Sequence, residues 1–206
     1  MKYRFFDLDG TLADTDRDIR EAWKAALADL ALECPDFDEK FVAGPPIDEM
    51  TKKLFPERFT QELADSIRRL FARHYDSDGF PNTREYPGIL DEVKRLKANG
   101  DKVYIVTNKR FAGATAMAKK FGWDAIFDGL YAGDMYPGRK MRKVELLAHV
   151  LAELKANPAD CTMIGDTASD FEAAKKNGVK SIAVKWGYGK AHELAEADLI
   201  AEPPFA

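Results

Sequence analysis

The chain has little of what marks a membrane-bound, nucleic-acid-binding or disulfide-bonded protein. No stretch approaches the roughly 20 apolar residues of a membrane span. Its 31 basic residues are outnumbered by 35 acidic ones, so nothing indicates a basic surface for nucleic acid. Cys34 and Cys161 stand far apart, without metal-ligand or redox spacing. We therefore expect reduced thiols in a cytoplasmic protein with no nucleic-acid or membrane partner; the oligomeric state stays open.

What the chain does contain is typical of a globular protein. Its 206 residues are 46% hydrophobic and 32% charged, enough for one buried core and a smaller inserted module. A polar motif begins as early as residue 7, so we also expect no signal peptide.

Residues 14–83 show helical periodicity and chain breakers but no strand pattern. Apolar residues recur at helical spacing from Ile19 to Leu30, and again after Thr60. His74 lies on the second apolar stripe, which favours a packed edge residue over a ligand. A polar loop over 76–86 connects this helical segment to the rest of the chain. We predict a small helical domain over 14–83.

The remaining residues, 1–13 and 84–206, alternate between strand and helix patterns. Such alternation favours an α/β domain with a parallel sheet. The predicted strands are Tyr3–Phe6, 102–106, 126–132, 161–164, 181–184 and 198–200.

Three of these strands end in polar clusters. Asp7 and Asp9 follow the first strand, Thr107 and Asn108 the second, and Asp166 the fourth. The carboxyl ends of parallel strands meet at one edge of a sheet, so these side chains can converge on one ligand. Asp170, four residues further on, is either a helix first-turn acid or another member of the site.

Carboxylates without histidine or cysteine select a hard cation. Two carboxylates about 4 Å apart repel by about 4 kcal/mol at an effective dielectric of about 20, and a bound cation offsets that cost. Oxygen ligands favour Mg²⁺ over Zn²⁺. Mg²⁺ combines one or two carboxylates with phosphate and water, so the pattern favours chemistry on a small phosphorylated metabolite.

The string Asp7-Leu8-Asp9-Gly10-Thr11-Leu12 resembles the first motif of the haloacid-dehalogenase-like (HAD) hydrolase superfamily. The other strand ends supply further motifs in the family's order. The resemblance implies a Rossmann-like doubly wound parallel sheet with an inserted helical cap. It also implies that Asp7 is a nucleophile, that Asp9 is a general acid/base, and that Mg²⁺ is the cofactor.

Other roles are carried over in the same way. The resemblance implies that Thr107, with Asn108 beside it, binds the phosphoryl group. Mg²⁺ would be held by the Asp7 carboxylate, the Asp9 backbone carbonyl and Asp166. Asp170 matches the last acid of the family's Gly-Asp-x-x-x-Asp motif and would orient the metal's waters.

The family's phosphate-neutralising lysine has two candidates here. Lys143 begins a predicted helix, as in members that read Lys-x-Glu-hydrophobic, and it is preferred over Lys140. The Lys-Pro pair common in phosphoglycolate-phosphatase-like members is absent from this stretch. Lys109 is a weaker candidate for reaching phosphate.

The expected function is a Mg²⁺-dependent phosphatase of small phosphate monoesters, phosphoglycolate-phosphatase-like or nucleotidase-like. The retained Asp9 and Thr11 disfavour a 2-haloacid dehalogenase. A β-phosphoglucomutase-like phosphotransferase is a second possibility, although residues 14–27 lack the histidine expected of it. A non-catalytic HAD-fold binding protein is a third. The substrate cannot be read from the sequence.

Overall fold

The chain folds into two compact units. The structure, a computed structural model, describes residues 1–77 and 79–202. Met1–Asp14 and Arg84–Ala206 form one unit, here the sheet unit, and Thr15–Thr83 form the other, the helical unit.

The sheet unit is built on a six-stranded sheet in which every neighbouring pair is parallel. The strand order is β5-β4-β1-β6-β7-β8. These strands are β1 (Tyr3–Phe6), β4 (Lys102–Thr107), β5 (Gly129–Ala132), β6 (Cys161–Gly165), β7 (Lys180–Val184) and β8 (Leu199–Ala201). The predicted α/β fold with a parallel sheet is confirmed.

Helices connect the strands of this sheet. They are α5 (Ile89–Ala98), α6 (Phe111–Phe121), α7 (Lys143–Glu153), α8 (Ala168–Lys176) and the short α9 (Ala191–Leu194). The third predicted strand starts three residues late, at Gly129, because the chain is still turning after the 3₁₀ helix: the N–H groups of Ile126 and Phe127 both donate to Trp123 O. The last strand starts at Leu199 because the Asp198 carboxylate instead accepts hydrogen bonds from the backbone N–H and hydroxyl of Ser181.

Phe5 and Phe6 of β1 are buried on opposite faces of the sheet. Neighbouring side chains of a strand point to opposite faces. Phe5 joins a core cluster with residues of α7 and α8, including Leu147 and Ala173. Phe6 contacts Phe127 edge-on, with ring centroids 6.0 Å apart. Burial on two faces explains why the strand lacks a polar alternation.

The strand order places a topological switch point at β1. The chain runs from β1 outward through β4 and β5, then returns to the other side of β1 for β6, β7 and β8. In open α/β sheets the crevice at such a point, at the carboxyl ends of the strands, is where ligands bind.

A two-residue antiparallel ribbon was not predicted. β2 (Ala13–Asp14) pairs with β3 (Arg84–Glu85) where the chain leaves and re-enters the sheet unit. Two residues are too few to leave a periodic pattern, so the sequence suggested only a loop here.

The described part of the helical unit, residues 15–77 and 79–83, contains four helices: α1 (Asp16–Asp29), α2 (Phe37–Lys40), α3 (Ile47–Leu54) and α4 (Gln61–Ser77). Trp23 of α1 joins the helices, since its ring lies 6.1 Å from Phe71 of α4 and 5.7 Å from Phe41. His74 lies on α4 with Nε2 2.8 Å from an Asp29 carboxylate oxygen.

Two observations bear on the composition. Both cysteines are free thiols, and burial raises the pKa of Cys161 to about 11. Over residues 1–77 and 79–202, no helix combines the length and apolar character needed to cross a membrane.

Asp18 fastens the end of the helical unit to its first helix. Its buried carboxylate accepts hydrogen bonds from the Thr83 backbone N–H (2.7 Å) and hydroxyl (2.6 Å), and from the backbone and side chain of Asn82. We expect Asp18→Ala to lower the free energy of unfolding by about 2–3 kcal/mol, because it leaves buried donors unpaired. Urea denaturation measures this. Asp38→Ala, which removes an exposed partner of Lys24, should lower the free energy of unfolding far less. Equal losses would contradict the fastening role.

The same carboxylate should make stability depend on pH. Burial alone would raise the pKa of Asp18. Hydrogen bonds from Thr83 and Asn82 outweigh this effect and hold that pKa below its ordinary value of 3.8. The unfolded chain therefore takes up this proton first as the pH falls. Asp18 contributes stability above about pH 3.8 and loses it as the pH falls through the lower folded value. The stability difference between wild type and Asp18→Asn should shrink over that acid range.

Candidate active site

Three adjacent strands bring Asp7, Thr107 and Asp166 to one edge of the sheet. Asp7 directly follows β1, Thr107 ends β4, and Asp166 directly follows β6. Phe6 is paired in register with both Ile105 and Ile164, so the three strands end almost level. All three polar side chains are buried.

The Asp7 carboxylate is half satisfied. Its Oδ2 lies 2.8 Å from Lys143 Nζ. Its Oδ1 is buried and, among the described residues, has no hydrogen-bond partner. Burial raises the pKa of Asp7 to about 6 despite the opposing effect of Lys143, and the charge of Asp170 adds to the rise. An unpaired buried carboxylate oxygen is costly, which indicates a position built to meet a ligand.

Lys143 lies between two carboxylates at the first residue of α7. Its side chain is 2% exposed, and its Nζ is 2.6 Å from Asp170 Oδ1 in addition to its contact with Asp7. Burial alone would lower the pKa of Lys143, but the charges of Asp170 and Asp7 reverse this and raise it. Lys143 is therefore a fixed cation. Lys140, the other candidate, is exposed.

Asp170 contacts both the start of α8 and Lys143. Its Oδ2 accepts hydrogen bonds from the backbone N–H (3.1 Å) and hydroxyl (3.0 Å) of Thr167, which satisfies a donor at the start of α8. Its Oδ1 accepts from Lys143. The residue thus both supports the helix start and sets the position of the lysine.

Asp166 is held by two loops. Its Oδ1 accepts from the Thr11 hydroxyl (3.2 Å), and its Oδ2 accepts from the Tyr188 backbone N–H (2.7 Å). Gly10 and Gly187 permit the close approach of these loops, because a Cβ on either would overlap the Asp166 side chain; Gly10 also has φ +78°. Burial and the nearby Asp170 and Asp7 charges raise the pKa of Asp166 well above its usual range.

The Asp9 side chain pairs with a second lysine. Lys109 Nζ lies 2.8 Å from Asp9 Oδ1, and the Lys109 backbone N–H donates to the Thr107 hydroxyl over 3.2 Å. Asn108, between them in sequence, is half-buried.

Three carboxylates of the site could together hold a hard cation. Asp7, Asp166 and Asp170 each offer an oxygen, and these atoms lie within 4.8 Å of one another. The donors are all oxygen, and one of them, Asp7 Oδ1, has no partner in the described chain. This donor set matches the preference of Mg²⁺ for a few carboxylates completed by water or phosphate.

Comparison with known proteins now decides the family. The profile of the haloacid dehalogenase-like hydrolases matches residues 5–184. This chain belongs to that family. A phosphoglycolate phosphatase of Aquifex aeolicus is 31% identical over 98% of this hydrolase and 93% of its own length. A 5'-nucleotidase of Pseudomonas aeruginosa is 33% identical over 92% of this chain and 85% of its own length. The predicted resemblance is confirmed.

Two further comparisons are with a longer protein and with a solved structure. The tyrosine-protein kinase PtkA of Mycobacterium tuberculosis is 30% identical over 90% of this hydrolase, which spans only 62% of that relative's length. A predicted phosphatase from Clostridium acetobutylicum has a solved structure that superposes with a TM-score of 0.88. It is 27% identical and covers 98% of this chain and 93% of its own.

Sequence reasoning missed three contacts of this hydrolase site. Thr11 and Tyr188 bind Asp166, and Lys109 binds Asp9. Lys109 was rated a weak phosphate ligand, whereas the structure places it on a carboxylate. The two glycines that flank Tyr188, directly beyond the end of β7, were a usable signal of a close-packed loop.

Thr11→Val tests the support of Asp166. Groups that orient a metal ligand typically contribute 10–100-fold to affinity, so if Asp166 holds Mg²⁺ we expect binding of the ion to weaken by about that factor. Isothermal titration calorimetry measures this directly. Thr51→Val is a matched control, because Thr51 is equally buried and its hydroxyl donates to Ile47 O within α3. Unchanged Mg²⁺ affinity in Thr11→Val would show that Asp166 needs no such support.

Proposed function

We propose that this hydrolase is a Mg²⁺-dependent phosphatase of small phosphate monoesters that works through an aspartyl-phosphate on Asp7. The observation that carries the proposal is the buried Asp7 carboxylate, with Oδ2 fixed by Lys143 and Oδ1 without a partner in the described chain. A nucleophile must be held in place yet have a free lone pair, and this carboxylate meets both conditions.

Asp9 would transfer the proton in both steps. In the first, an Asp7 oxygen forms a bond to phosphorus as the bond to the leaving oxygen breaks, and the Asp9 carboxyl gives its proton to that oxygen. In the second, Asp9 accepts a proton from the attacking water, the bond between phosphorus and Asp7 breaks, and phosphate leaves. General acid–base catalysis of this kind typically contributes 10²–10⁴-fold.

The other residues would neutralise and orient the transferring group. Lys143 places a permanent positive charge beside Asp7, and the buried Thr107 hydroxyl lies at the end of the neighbouring strand. Asp7 and Asp166 would hold Mg²⁺ with the Asp9 backbone carbonyl, and Asp170 would act beside them. The ion would supply charge stabilisation on the phosphoryl oxygens. Preorganised charge of this kind is the main source of acceleration in phosphoryl transfer.

The helical unit, residues 14–83 in the predicted division, would serve as the cap of this phosphatase. A cap that excludes water favours small phosphorylated metabolites over proteins as substrates. The phosphoglycolate phosphatase and 5'-nucleotidase relatives support phosphoglycolate-like or nucleotide-like substrates, and we propose a cytoplasmic location for the reaction.

Phosphate release from p-nitrophenyl phosphate tests the proposal. The wild-type protein should release phosphate with Mg²⁺ and lose this activity with excess EDTA, because chelation would remove the cation that the carboxylates are proposed to hold. A panel of phosphorylated metabolites then ranks the substrates by kcat/KM. Well-folded protein that turns over none of them at any Mg²⁺ concentration would favour a non-catalytic binding protein. Transfer of the phosphoryl group to a sugar phosphate, without release, would favour a β-phosphoglucomutase-like phosphotransferase.

A further inference from the structure

The site contains a second, nearly buried ion pair, whose lysine has no role in the reaction proposed above. Lys109 Nζ and Asp9 Oδ1 are 2.8 Å apart, and only 6% and 12% of these side chains are exposed. Exposed ion pairs are mobile and contribute little. A pair removed from water costs desolvation energy, so its geometry has to be specific to persist.

The backbone that presents Lys109 is fixed on both sides. The Lys109 N–H donates to the Thr107 hydroxyl at the end of β4. Two residues later, the Phe111 N–H at the start of α6 donates to an Asp134 carboxylate oxygen over 2.7 Å. The lysine therefore projects from a segment anchored to β4 and to the loop after β5.

The two lysines of the site contact different carboxylates. Lys143 contacts Asp7 and Asp170, whereas Lys109 contacts Asp9. Because Lys143 already neutralises the nucleophile, the charge of Lys109 acts on a different carboxylate. Asp9 is the residue whose placement decides whether a proton can reach the leaving oxygen.

We propose that Lys109 is a positioning residue that holds the Asp9 carboxylate in the orientation needed for proton transfer to the leaving group. This inference rests on the proposed phosphatase function. The ammonium hydrogen-bonds Oδ1 and thereby restricts rotation of the Asp9 side chain. Small errors in the placement of a reacting group can cost about 10²-fold in rate.

Two substrates with the same ring separate this role from phosphate binding. The oxygen of p-nitrophenyl phosphate leaves readily without a proton, whereas that of phenyl phosphate needs one. For Lys109→Met we expect kcat to fall by up to about 10²-fold with phenyl phosphate. The fall with p-nitrophenyl phosphate should be much smaller, and KM should stay unchanged for both. Lys109→Arg, which keeps a charged donor, should recover part of the loss.

A double-mutant cycle with Asp9→Asn makes the test specific. If Lys109 acts through Asp9, Lys109→Met should cause no further loss in the Asp9→Asn background. Lys102→Met is the matched control, because Lys102 pairs with Asp128 at the opposite end of the same strand and should leave both rates unchanged. Circular dichroism and thermal melting check that each variant is folded.

The outcomes separate the two proposals. A wild-type protein inactive on both esters would overturn the phosphatase function and this inference with it. An active wild type in which Lys109→Met raises KM, or in which its effect persists in Asp9→Asn, would overturn only the positioning role, since Lys109 would then bind substrate itself. Equal losses of kcat with the two esters would do the same.

Discussion

Asp7→Asn is expected to reduce Mg²⁺-dependent phosphate release by at least about 10⁴-fold while the protein stays folded. The amide has the same shape as the carboxylate but is a poor nucleophile, so no phosphoryl-enzyme can form. The substitution also removes a charge from a buried site, which opposes any loss of stability. Initial rates with p-nitrophenyl phosphate, together with thermal melting, measure both effects.

Two further observations make the assignment of the nucleophile specific. Brief incubation of wild type with substrate followed by acid quench should yield a phosphorylated peptide containing residue 7, and the variant should yield none. Asp160→Asn, in an exposed turn before β6, is the matched control and should retain full activity. Substantial turnover by Asp7→Asn would assign the nucleophile to another residue.

Lys143→Met is expected to cause the second largest loss, about 10³-fold in kcat/KM. It removes the cation that lies 2.8 Å from Asp7 Oδ2 and 2.6 Å from Asp170 Oδ1. Breaking a buried ion pair by removing one partner costs about 3–5 kcal/mol, so the free energy of unfolding should fall as well. Lys140→Met removes an exposed lysine from the preceding loop and should change kcat/KM far less.

A compensated variant separates the catalytic loss from the structural one. Lys143→Met combined with Asp170→Asn removes one buried charge of each sign. We expect this double variant to recover much of the stability measured by urea denaturation but not the activity. If activity returned with stability, Lys143 would be a structural residue. If Lys140→Met caused the greater loss, the phosphate-neutralising role would move to Lys140.

The sequence was informative where local chemistry and topology coincide. Asp7, Thr107 and Asp166 each stand at the point where an apolar strand pattern stops, and parallel strands bring such points together. These strand-end features depend only on periodicity and on the rule that strand ends share an edge. Lys143 was singled out instead by the family resemblance, which expects a lysine at the start of this helix.

The missing details depend on side-chain direction and on long-range packing. No periodicity indicates that Lys109 turns toward Asp9, or that the backbone of Tyr188 reaches Asp166 from a loop 22 residues away. The contact between Asp170 and Lys143 was also hidden, since an acid at a helix start and an acid that pairs with a lysine look the same in sequence. The β2–β3 ribbon was too short to leave any pattern.

The wide spacing of the site residues has a consequence during synthesis. β1 is made long before β6, yet the two strands are neighbours in the sheet, and the Asp166 carboxylate accepts a hydrogen bond from the still later backbone of Tyr188. A nascent chain therefore carries the first aspartates long before these partners emerge from the ribosome. Catalysis would begin only once the segment through Tyr188 has joined the sheet unit, so the appearance of activity reports that step of folding.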